Sequence, residues 1–240
     1  MNIEILYEDD DLLIVNKPAG MLVIPDRFDE EQPSLNRLLA EKHGQHMFVV
    51  HRLDRGTSGV ICFAKNEETH KYMSKLFQEH NVEKYYTGLV SGRVLTKEGT
   101  IDSGIMEHPT QRGKMVVNKK GKESLTDYKV LAEWPLYTLV EFRIHTGRTH
   151  QIRVHMQSIG HPIACDELYS DGKPFFLSNI KKKYVGSTKN EERPLLSRLA
   201  LHASKLVFKK ADGHEIVAEA ELPKDIAACV NQLNKWAKPV

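Results

Sequence analysis

Residues 51–59 place one carboxylate, Asp54, between the guanidinium groups of Arg52 and Arg55. These two positive charges and the nearby hydroxyl of Thr57 favour the ionised form of the aspartate. An ionised aspartate acts as a nucleophile or an ion-pair anchor rather than as a proton donor. The alternative is a turn aspartate that binds its own backbone, with the neighbouring glycines supplying the turn. The arginine on each side favours the first interpretation.

A second polar cluster, residues 146–155, is rich in arginine and histidine. We predict that Thr149 caps a helix in this segment. Apolar residues at helical spacing predict the buried face of this helix, which consists of Ile152, Met156 and Ile159. Arg153 then lies on the neighbouring face and can present a rigid guanidinium that pairs with a carboxylate through two hydrogen bonds. The alternative is an arginine that binds a loop carbonyl or a surface acid, and the helix pattern does not choose between them.

His145, His150 and His155 recur every five residues. This spacing places no two of them on one strand face or on adjacent helix turns, so a metal site is not expected. We interpret them as core or RNA-facing histidines.

Residues 82–90 predict a strand that carries adjacent tyrosines, Tyr85 and Tyr86. Strand alternation sends their rings to opposite faces. A tyrosine that faces a cleft can stack on a nucleobase while its hydroxyl stays within reach of a proton. The alternative is a simple cross-strand aromatic contact.

The elements that must position these residues are mostly strands joined by turns. Apolar runs at 47–50 and 60–64 flank Asp54 and predict buried strands, which would set the aspartate at the mouth of a sheet. Further strands are predicted at 3–7, 12–16, 85–90, 126–131, 137–144 and 205–209, and an extended run at 21–24. We therefore predict an α+β fold with a mixed, mostly antiparallel sheet and flanking helices, forming a single domain over residues 1–240.

Two helices are predicted from their caps and apolar stripes. Ser34 is the predicted cap of the first, whose stripe consists of Leu35, Leu38 and Leu39. Asn66 is the predicted cap of the second, whose stripe consists of Tyr72, Met73, Leu76 and Phe77. Both stripes are expected to face the core.

The composition suits an ordinary soluble enzyme, with 240 residues, 40% hydrophobic content and a net charge of +2. This charge neither requires nor excludes nucleic acid, so the distribution of charge matters more. Basic residues concentrate in two tracts, one with Arg112, Lys114, Lys119, Lys120 and Lys122 and the other with Lys181, Lys182 and Lys183. Such tracts can contact phosphates, or they can be solvated loops.

The cysteines, Cys62, Cys165 and Cys229, are odd in number and far apart, which argues against a disulfide framework or a structural zinc site. A reducing cytoplasm is therefore the expected location. No apolar run approaches the roughly 18 residues of a membrane span, and the acidic N-terminus does not look like a signal peptide. We expect a chain that is neither secreted nor anchored in a membrane.

Taken together, these segments resemble the RluA-type family of pseudouridine synthases, which isomerise selected uridines in structured RNA. Residues 51–59 are similar to the aspartate motif of the family, 84–86 to its Lys-x-Tyr motif and 147–155 to its arginine motif. The order and spacing also fit at 5–20, 160–169 and 201–203. One departure is Cys165, which stands where the family pattern commonly has glycine. The resemblance implies a compact member without the N-terminal S4-type module that many relatives carry.

The resemblance also implies roles for individual residues. Asp54 would be the essential acid, Tyr86 the ring near the uracil, and Arg153 the ion-pair partner of Asp54. Arg52 would help to displace or replace RNA bases. Further RNA-contacting residues would be Arg55, Thr57, Lys84, Arg148, His150 and Ile152. No metal or organic cofactor is implied, and we expect a monomer that acts on tRNA, on 23S-type rRNA, or on both.

The chemistry of this reaction accounts for these residue types. Forming pseudouridine breaks the glycosidic bond at N1, turns the detached uracil and makes a new bond at C5, so the fragment must be held while a carboxylate attacks or stabilises it. The target nucleotide must leave its stack, which costs a few kcal/mol and explains Arg52 and the basic loops. Attack at C1′, attack at C6 and elimination all remain open for Asp54.

Two other functions compete with this one. A non-catalytic RNA-binding module would keep the basic loops and the aromatic residues but would not need Asp54. A deaminase would need zinc and the H-x-E with P-C-x-x-C signature, which the sequence lacks, and a glycosidase usually needs a second carboxylate that we do not identify.

Overall fold

The computed structural model describes residues 3–26, 29, 31–181, 184 and 192–237. Two lysines of the second basic tract, Lys182 and Lys183, lie outside the described residues. The chain forms two compact units. The first unit consists of Met1–Tyr86 with His202–Glu221, and the second consists of Thr87–Leu201 with Leu222–Val240. The interpretation of residues 1–240 as one domain stays a prediction, because two compact units can belong to one domain or to two.

The helices and strands follow one another along the chain with short connections. In order they are β1 (Glu4–Glu8), β2 (Leu12–Lys17), α1 (Leu35–His43), β3 (Phe48–Val49), β4 (Ser58–Ala64), α2 (Glu67–Gln78), β5 (Glu83–Ser91), β6 (Glu98–Asp102), β7 (Ile105–Glu107), β8 (Met115–Val117), β9 (Leu125–Glu133), β10 (Tyr137–Ile144), α3 (Gln151–Ser158), β11 (Leu201–Lys209), β12 (Glu215–Glu219) and α4 (Lys224–Trp236).

The sheet of the first unit is built around β4, in which all seven residues are buried. β2 and β3 pair with β4 in antiparallel orientation, whereas β11 pairs with it in parallel orientation. β1 completes one side through β2, and β12 completes the other through β11, both antiparallel. The side chains of the core come from β2, β4, β11, β12 and α2, and include Leu12, Ile14, Val60, Cys62, Met73, Leu206, Phe208 and Ile216.

The strands of the second unit are antiparallel where their register is defined. β9 pairs with β10 on one side and with β6 on the other, and β7 and β8 form a separate hairpin. Helix α3 is buried over six consecutive residues, from Gln151 to Met156. The prediction of an α+β fold with a mixed, mostly antiparallel sheet and flanking helices is confirmed.

Most predicted elements are present, because their alternation or cap is local. The Asn66 cap of α2 is confirmed, since its side chain accepts a hydrogen bond from the Thr69 amide at 2.8 Å. Ser34 does occupy the cap position of α1, but its hydroxyl bonds Asn36 instead of a backbone amide. The extended run predicted at 21–24 does not form a strand. Only Leu22 pairs with another segment there, through a single bridge to Ser34.

The prediction that Thr149 caps α3 is wrong by one residue. The cap is His150, whose φ of 56° lies in the left-handed region. The loop before the helix is instead held by Gln151, whose side-chain oxygen accepts hydrogen bonds from the Thr146 hydroxyl and the Arg148 amide. Ile159 lies beyond the end of α3 and is exposed, so the prediction that it belongs to the buried face of this helix was wrong.

Within the described residues, no helix combines the length and the apolar character needed to cross a membrane.

Candidate active site

The loop that carries Asp54 connects β3 to β4 in the first unit. The Thr57 amide donates a hydrogen bond of 3.1 Å to the backbone carbonyl of Asp54 and closes a turn. Leu53 is buried and anchors the loop, whereas Asp54 is half-buried and Arg52 is exposed. The backbone of this segment therefore forms a turn, and Asp54 is only half-buried in it.

Arg55 ties the Asp54 loop to the loop that follows β2. Its Nε donates to the Gly20 carbonyl at 3.1 Å, and its own carbonyl accepts from the Gly20 amide at 2.8 Å. Gly20 has a φ of +83°, a backbone conformation that suits glycine. One function of this arginine is thus to fix the loop.

Lys17 holds the same two loops from inside the protein. Its side chain is fully buried, and its ammonium donates to the carbonyls of Met21 at 2.8 Å, Pro18 at 3.1 Å and Arg55 at 3.2 Å. A buried ammonium is tolerated only where hydrogen bonds replace its lost hydration. Lys17 therefore fixes the residue directly after Asp54.

The other end of the loop is fixed where β4 begins. The Ser58 hydroxyl lies 2.9 Å from Nδ1 of His202, and Nε2 of His202 donates to the Ala220 carbonyl at 3.2 Å. Because a carbonyl only accepts, Nε2 carries a proton, and in the neutral ring Nδ1 accepts from Ser58. This chain of contacts joins β4 to β11 directly after the Asp54 turn.

Tyr86 lies in the first unit, as Asp54 does, and its phenol is sensitive to the charge of that aspartate. The ring of Tyr86 is 9% exposed. Burial of the ring, and then the negative charge of Asp54, raise the pKa of the Tyr86 phenol well above its ordinary value. The phenol therefore stays protonated and can donate a hydrogen bond or stack on a base, but it is a poor proton acceptor.

Lys84 lies two residues before Tyr86 on β5, and both side chains are buried on the same face. Its ammonium is 5.9 Å from the centre of the Phe77 ring. Desolvation lowers the pKa of Lys84 to about 8, so this cation is charged at neutral pH but only narrowly. Such a group responds to small changes of pH or of nearby charge.

His51 supports the start of the same loop as a neutral ring. Its Nε2 accepts a hydrogen bond of 3.0 Å from the Cys62 amide, and the ring stacks on Phe77 at 4.5 Å. Burial, and then the positive charge of Lys84, lower the pKa of His51 to about 3. His51 thus packs and accepts a hydrogen bond rather than titrating near neutral pH.

Arg153, in the second unit, forms a two-bond ion pair with Asp166. Its Nε and Nη2 donate to the two carboxylate oxygens at 2.7 and 2.8 Å, and both side chains are buried. This two-bond pairing with a carboxylate agrees with the first interpretation of Arg153, and not with the alternative of a loop carbonyl or a surface acid. A guanidinium has five N–H donors, so this pair does not exhaust it. The pairing of Arg153 with Asp54 that the resemblance implies stays a prediction.

Tyr169 packs against this ion pair. The Arg153 guanidinium lies 5.0 Å from the centre of its ring, and its hydroxyl lies 2.8 Å from Nδ1 of His150. The same hydroxyl accepts a hydrogen bond from the Met115 amide at 2.8 Å. Tyr169 therefore links the arginine, the start of α3 and strand β8.

Cys165, directly before Asp166, adopts a φ of 58°. This left-handed conformation is strained for a residue with a Cβ and free of strain for glycine. The backbone thus explains why glycine suits this position.

The remaining predicted contacts lie in different environments. Arg148 is half-buried, and its Nε donates to the Glu123 carbonyl at 3.0 Å. Ile152 is buried inside α3, and Thr57 is buried in the Asp54 loop. Their roles in RNA binding stay predictions.

The other two histidines of the arginine-rich segment have structural partners. His155 is buried between the Thr126 hydroxyl and the Ser103 carbonyl, and burial lowers its pKa. His145 lies 2.6 Å from a carboxylate oxygen of Asp127. No group of three or more possible metal ligands occurs among the residues that the structure describes.

Sequence reasoning assigned no role to Lys17, Asp166 or His202. Their binding partners could not be inferred from local spacing. The Arg55 carbonyl is 38 residues from Lys17, Arg153 is 13 residues from Asp166, and Ser58 is 144 residues from His202.

The chain is similar to known proteins along most of its length. A family model described as RNA pseudouridylate synthase matches residues 11–158. A protein of Aquifex aeolicus named as an uncharacterized RNA pseudouridine synthase is 43% identical over 196 residues, covering 76% of this chain and 60% of that protein. Ribosomal large subunit pseudouridine synthase D of Buchnera aphidicola is 37% identical over 229 residues, covering 93% of this chain and 71% of that protein.

A solved human structure, RNA pseudouridylate synthase domain containing 4, has a TM-score of 0.75 at 27% identity and covers 96% of this chain and 93% of its own. The chain spans 60% and 71% of the length of the two bacterial relatives. The family match extends over more than half of the chain and includes the Asp54 loop, Lys84, Tyr86 and Arg153. The chain therefore belongs to the RNA pseudouridylate synthase family, whose members are isomerases that act on RNA.

Proposed function

We propose that this protein converts selected uridines of structured RNA to pseudouridine, with Asp54 as the catalytic nucleophile. The observation that supports the proposal is that the charge of a half-buried Asp54 acts on the buried, protonated phenol of Tyr86. Lys17 and Arg55 hold the loop of this aspartate. A fixed carboxylate and a neutral phenol in one region of the first unit suit attack on a bound nucleoside.

The reaction conserves every atom of the nucleotide. The bond between N1 and C1′ breaks, the uracil turns, a bond between C5 and C1′ forms, and the proton leaves C5 while N1 gains one. Asp54 would stabilise the fragment through a covalent bond or through its charge. Tyr86 would hold the turned base by stacking or by a hydrogen bond from its phenol.

The other assigned residues would bind and present the RNA. Arg52 is exposed beside Asp54 and would fill the space that the flipped nucleotide leaves. Arg55, Lys84 and Arg148 would contact phosphates or bases, and Thr57, His150 and Ile152 would shape the surroundings. Arg153 would contribute its guanidinium to catalysis, supported by Asp166 and Tyr169.

We propose large-subunit ribosomal RNA as the substrate, because several similar proteins bear the name of ribosomal large subunit pseudouridine synthase D. Transfer RNA is the second candidate. We further propose that the protein acts as a cytoplasmic monomer.

A genetic experiment tests the catalytic assignment and the substrate together. Pseudouridine is mapped in total RNA from cells with the gene, without it, and with an Asp54→Asn allele in its place. The expected result is a mark that disappears with the gene and is restored by the wild type but not by Asp54→Asn. Asp10→Asn, which changes an exposed carboxylate on the β1–β2 turn, is the matched control and should restore the mark.

Restoration of the mark by Asp54→Asn would overturn the nucleophile assignment. RNA binding by the purified wild type without any pseudouridine formed would favour the non-catalytic module instead. Release of free uracil or ammonia would favour a hydrolytic enzyme.

A further inference from the structure

Trp236 ends helix α4 and is 39% exposed, which is unusual for the largest apolar side chain. The other tryptophan of the chain, Trp134, is fully buried. The indole N–H of Trp236 donates to Gln232 on the preceding turn of α4 at 3.0 Å, which orients the ring. The ring is therefore held at the surface rather than packed into the core.

Two ammonium groups lie over this ring. Nζ of Lys181 is 4.4 Å from the ring centre, and Nζ of Lys235 is 5.1 Å from it. Lys181 is also 6.0 Å from the ring of Tyr184, so a second aromatic residue lies beside the cluster. These four residues, Lys181, Tyr184, Lys235 and Trp236, form what we call the Trp236 patch.

The surroundings of the patch on α4 are positive or neutral. The exposed residues of the helix besides Trp236 are Lys224, Asn231, Asn234 and Lys235. The only carboxylate of the helix, Asp225, is bound by two hydrogen bonds of 2.7 Å from Arg198. No carboxylate therefore stands among the exposed side chains of α4.

We propose that the Trp236 patch is an accessory binding site for single-stranded RNA. An unpaired base can stack on the aromatic ring of the patch. The nearby ammonium groups can neutralise the phosphates of the RNA backbone. The patch lies outside residues 11–158, so it is separate from the part of the chain that the family model matches. The proposal rests on the proposed action on RNA and adds a second point of contact.

A protein partner fits the patch less well. The exposed apolar area of the Trp236 patch is mainly one indole ring, whereas a stable protein interface needs a broader buried core. Two lysines beside the ring would also have to be desolvated or paired in such an interface, and lysine is depleted there.

The test uses tryptophan fluorescence, because a stacked base quenches an indole and the second tryptophan is buried. The full-length protein is titrated with a dodecamer of uridylate, whose bases are largely unstacked, and separately with the same strand paired to a complementary oligoadenylate. We expect the single strand to quench Trp236 emission in the wild type. The duplex should produce little quenching, because its bases are not available.

Variants separate stacking from charge. Trp236→Ala should bind the uridylate strand about 5- to 100-fold more weakly, as expected for loss of one stacked base, whereas Trp236→Phe should keep most of the affinity. Lys181→Ala should reduce the slope of log affinity against log salt by about 1. Lys224→Ala removes the same charge from the other end of α4, and it should leave the quenching unchanged.

Catalysis distinguishes failure of this inference from failure of the proposed function. Trp236→Ala should raise KM for the RNA and leave kcat unchanged, because the patch binds RNA without touching the reacting base. Pseudouridine formation by the wild type with no quenching, or equal uridylate affinity of Trp236→Ala and the wild type, would overturn the accessory site alone. Quenching without pseudouridine formation would overturn the proposed function and leave the RNA site standing.

Discussion

Burial makes the charge on Lys84 depend on pH just above neutrality. Desolvation alone lowers the pKa of this ammonium to about 8, and it lies on the same strand face as Tyr86. The charge on Lys84 will therefore be lost well below the ordinary lysine pKa of 10.5. This property makes its contribution measurable.

We predict that pseudouridine formation declines as the pH rises through about 8, because Lys84 then loses its proton. In Lys84→Arg the guanidinium stays charged, so the decline should move to higher pH. Rate measurements across this pH range test the prediction, with the exposed Lys71→Arg as the control. Superimposable pH profiles for the wild type and Lys84→Arg would contradict it.

The same group has an effect on stability with a defined sign. Its folded pKa of about 8 lies below the ordinary value of 10.5, so between these values the unfolded chain binds more protons than the folded protein. The free energy of unfolding should therefore gain a contribution that rises over this interval. Lys84→Met should lack that contribution in urea unfolding.

Lys17 shows how a buried charge can serve a loop. We predict that Lys17→Met, which keeps the apolar stem, destabilises the protein by about 1–3 kcal/mol, because three carbonyls lose their donor. Pseudouridine formation should fall as well, since Arg55 is no longer held beside Asp54. Urea unfolding and turnover measurements test this, with Lys71→Met as the control. Wild-type values in both assays would refute the role of Lys17.

At the scale of elements, the parallel pairing of β4 with β11 depends on a glycine. Gly59 has a φ of +114°, and a Cβ at this position would lie 2.1 Å from the Ala203 carbonyl oxygen. The backbones of β4 and β11 can therefore pack this closely only because residue 59 has no side chain.

We predict that Gly59→Ala destabilises the protein by more than about 3 kcal/mol, because the clash is with backbone and adds to the strain of the φ angle. Gly44→Ala is the matched control. Gly44 also has a positive φ, at the end of α1, but open space surrounds it, so only about 1–2 kcal/mol should be lost. Equal losses in the two variants would show that the strand contact is unimportant.

The ion pair between α3 and the loop that follows it is another element-level contact. Asp166 binds the Arg153 guanidinium, and it also accepts hydrogen bonds from the amides of Leu168 and Tyr169. This one carboxylate therefore orients both the helix arginine and its own loop.

We predict that Asp166→Asn costs about 3–5 kcal/mol of stability, because it removes the negative charge that pairs with the buried Arg153 guanidinium. The exposed pair of Asp171 and Lys173 provides the control, since Asp171→Asn should cost no more than about 1 kcal/mol. Chemical unfolding measures both losses. A double variant with Arg153→Leu should lose less than the sum of the single losses, and strict additivity would contradict a direct pair.

At the scale of the whole molecule, residues distant in the chain meet in an ion cluster of the first unit. Lys210, after β11, donates to the Asp9 carboxylate at 2.6 Å across 201 residues of sequence. Asp9 also accepts from the Tyr7 hydroxyl and from the Leu12 amide. Burial opposes ionisation of Asp9, but these hydrogen bonds outweigh it and lower its pKa to about 2.

We predict a loss of stability on acidification that depends on Asp9. Its folded pKa of about 2 lies below the ordinary value of 3.8, so its contribution is present above pH 3.8 and is lost as the pH falls toward 2. Asp9→Asn should be less stable near neutral pH and should show a flatter pH dependence in this range. Unfolding by urea at a series of pH values measures this, and Asp10→Asn should behave like the wild type.

The amino-acid sequence by itself determined most of the elements and the family, and it provided the catalytic residues that we propose. Strand alternation, the Asn66 cap and the apolar stripe of α2 involve neighbours within a few residues, so their physical cause is local. The motif around Asp54 and its resemblance to pseudouridine synthases also come from residue types at short spacing, and the family is confirmed.

Only the tertiary structure decided which groups bind one another. Lys17 reaches a carbonyl 38 residues away, Arg153 a carboxylate 13 residues away, and Ser58 a histidine 144 residues away. The cap of α3 is His150 instead of the predicted Thr149 for a similar reason. The side chain of Gln151 holds the preceding loop and donates to the Leu125 carbonyl, which is 26 residues away. A buried polar group binds whichever partner the folded chain brings within hydrogen-bond distance. The spacing of residues along the sequence does not determine which groups come that close.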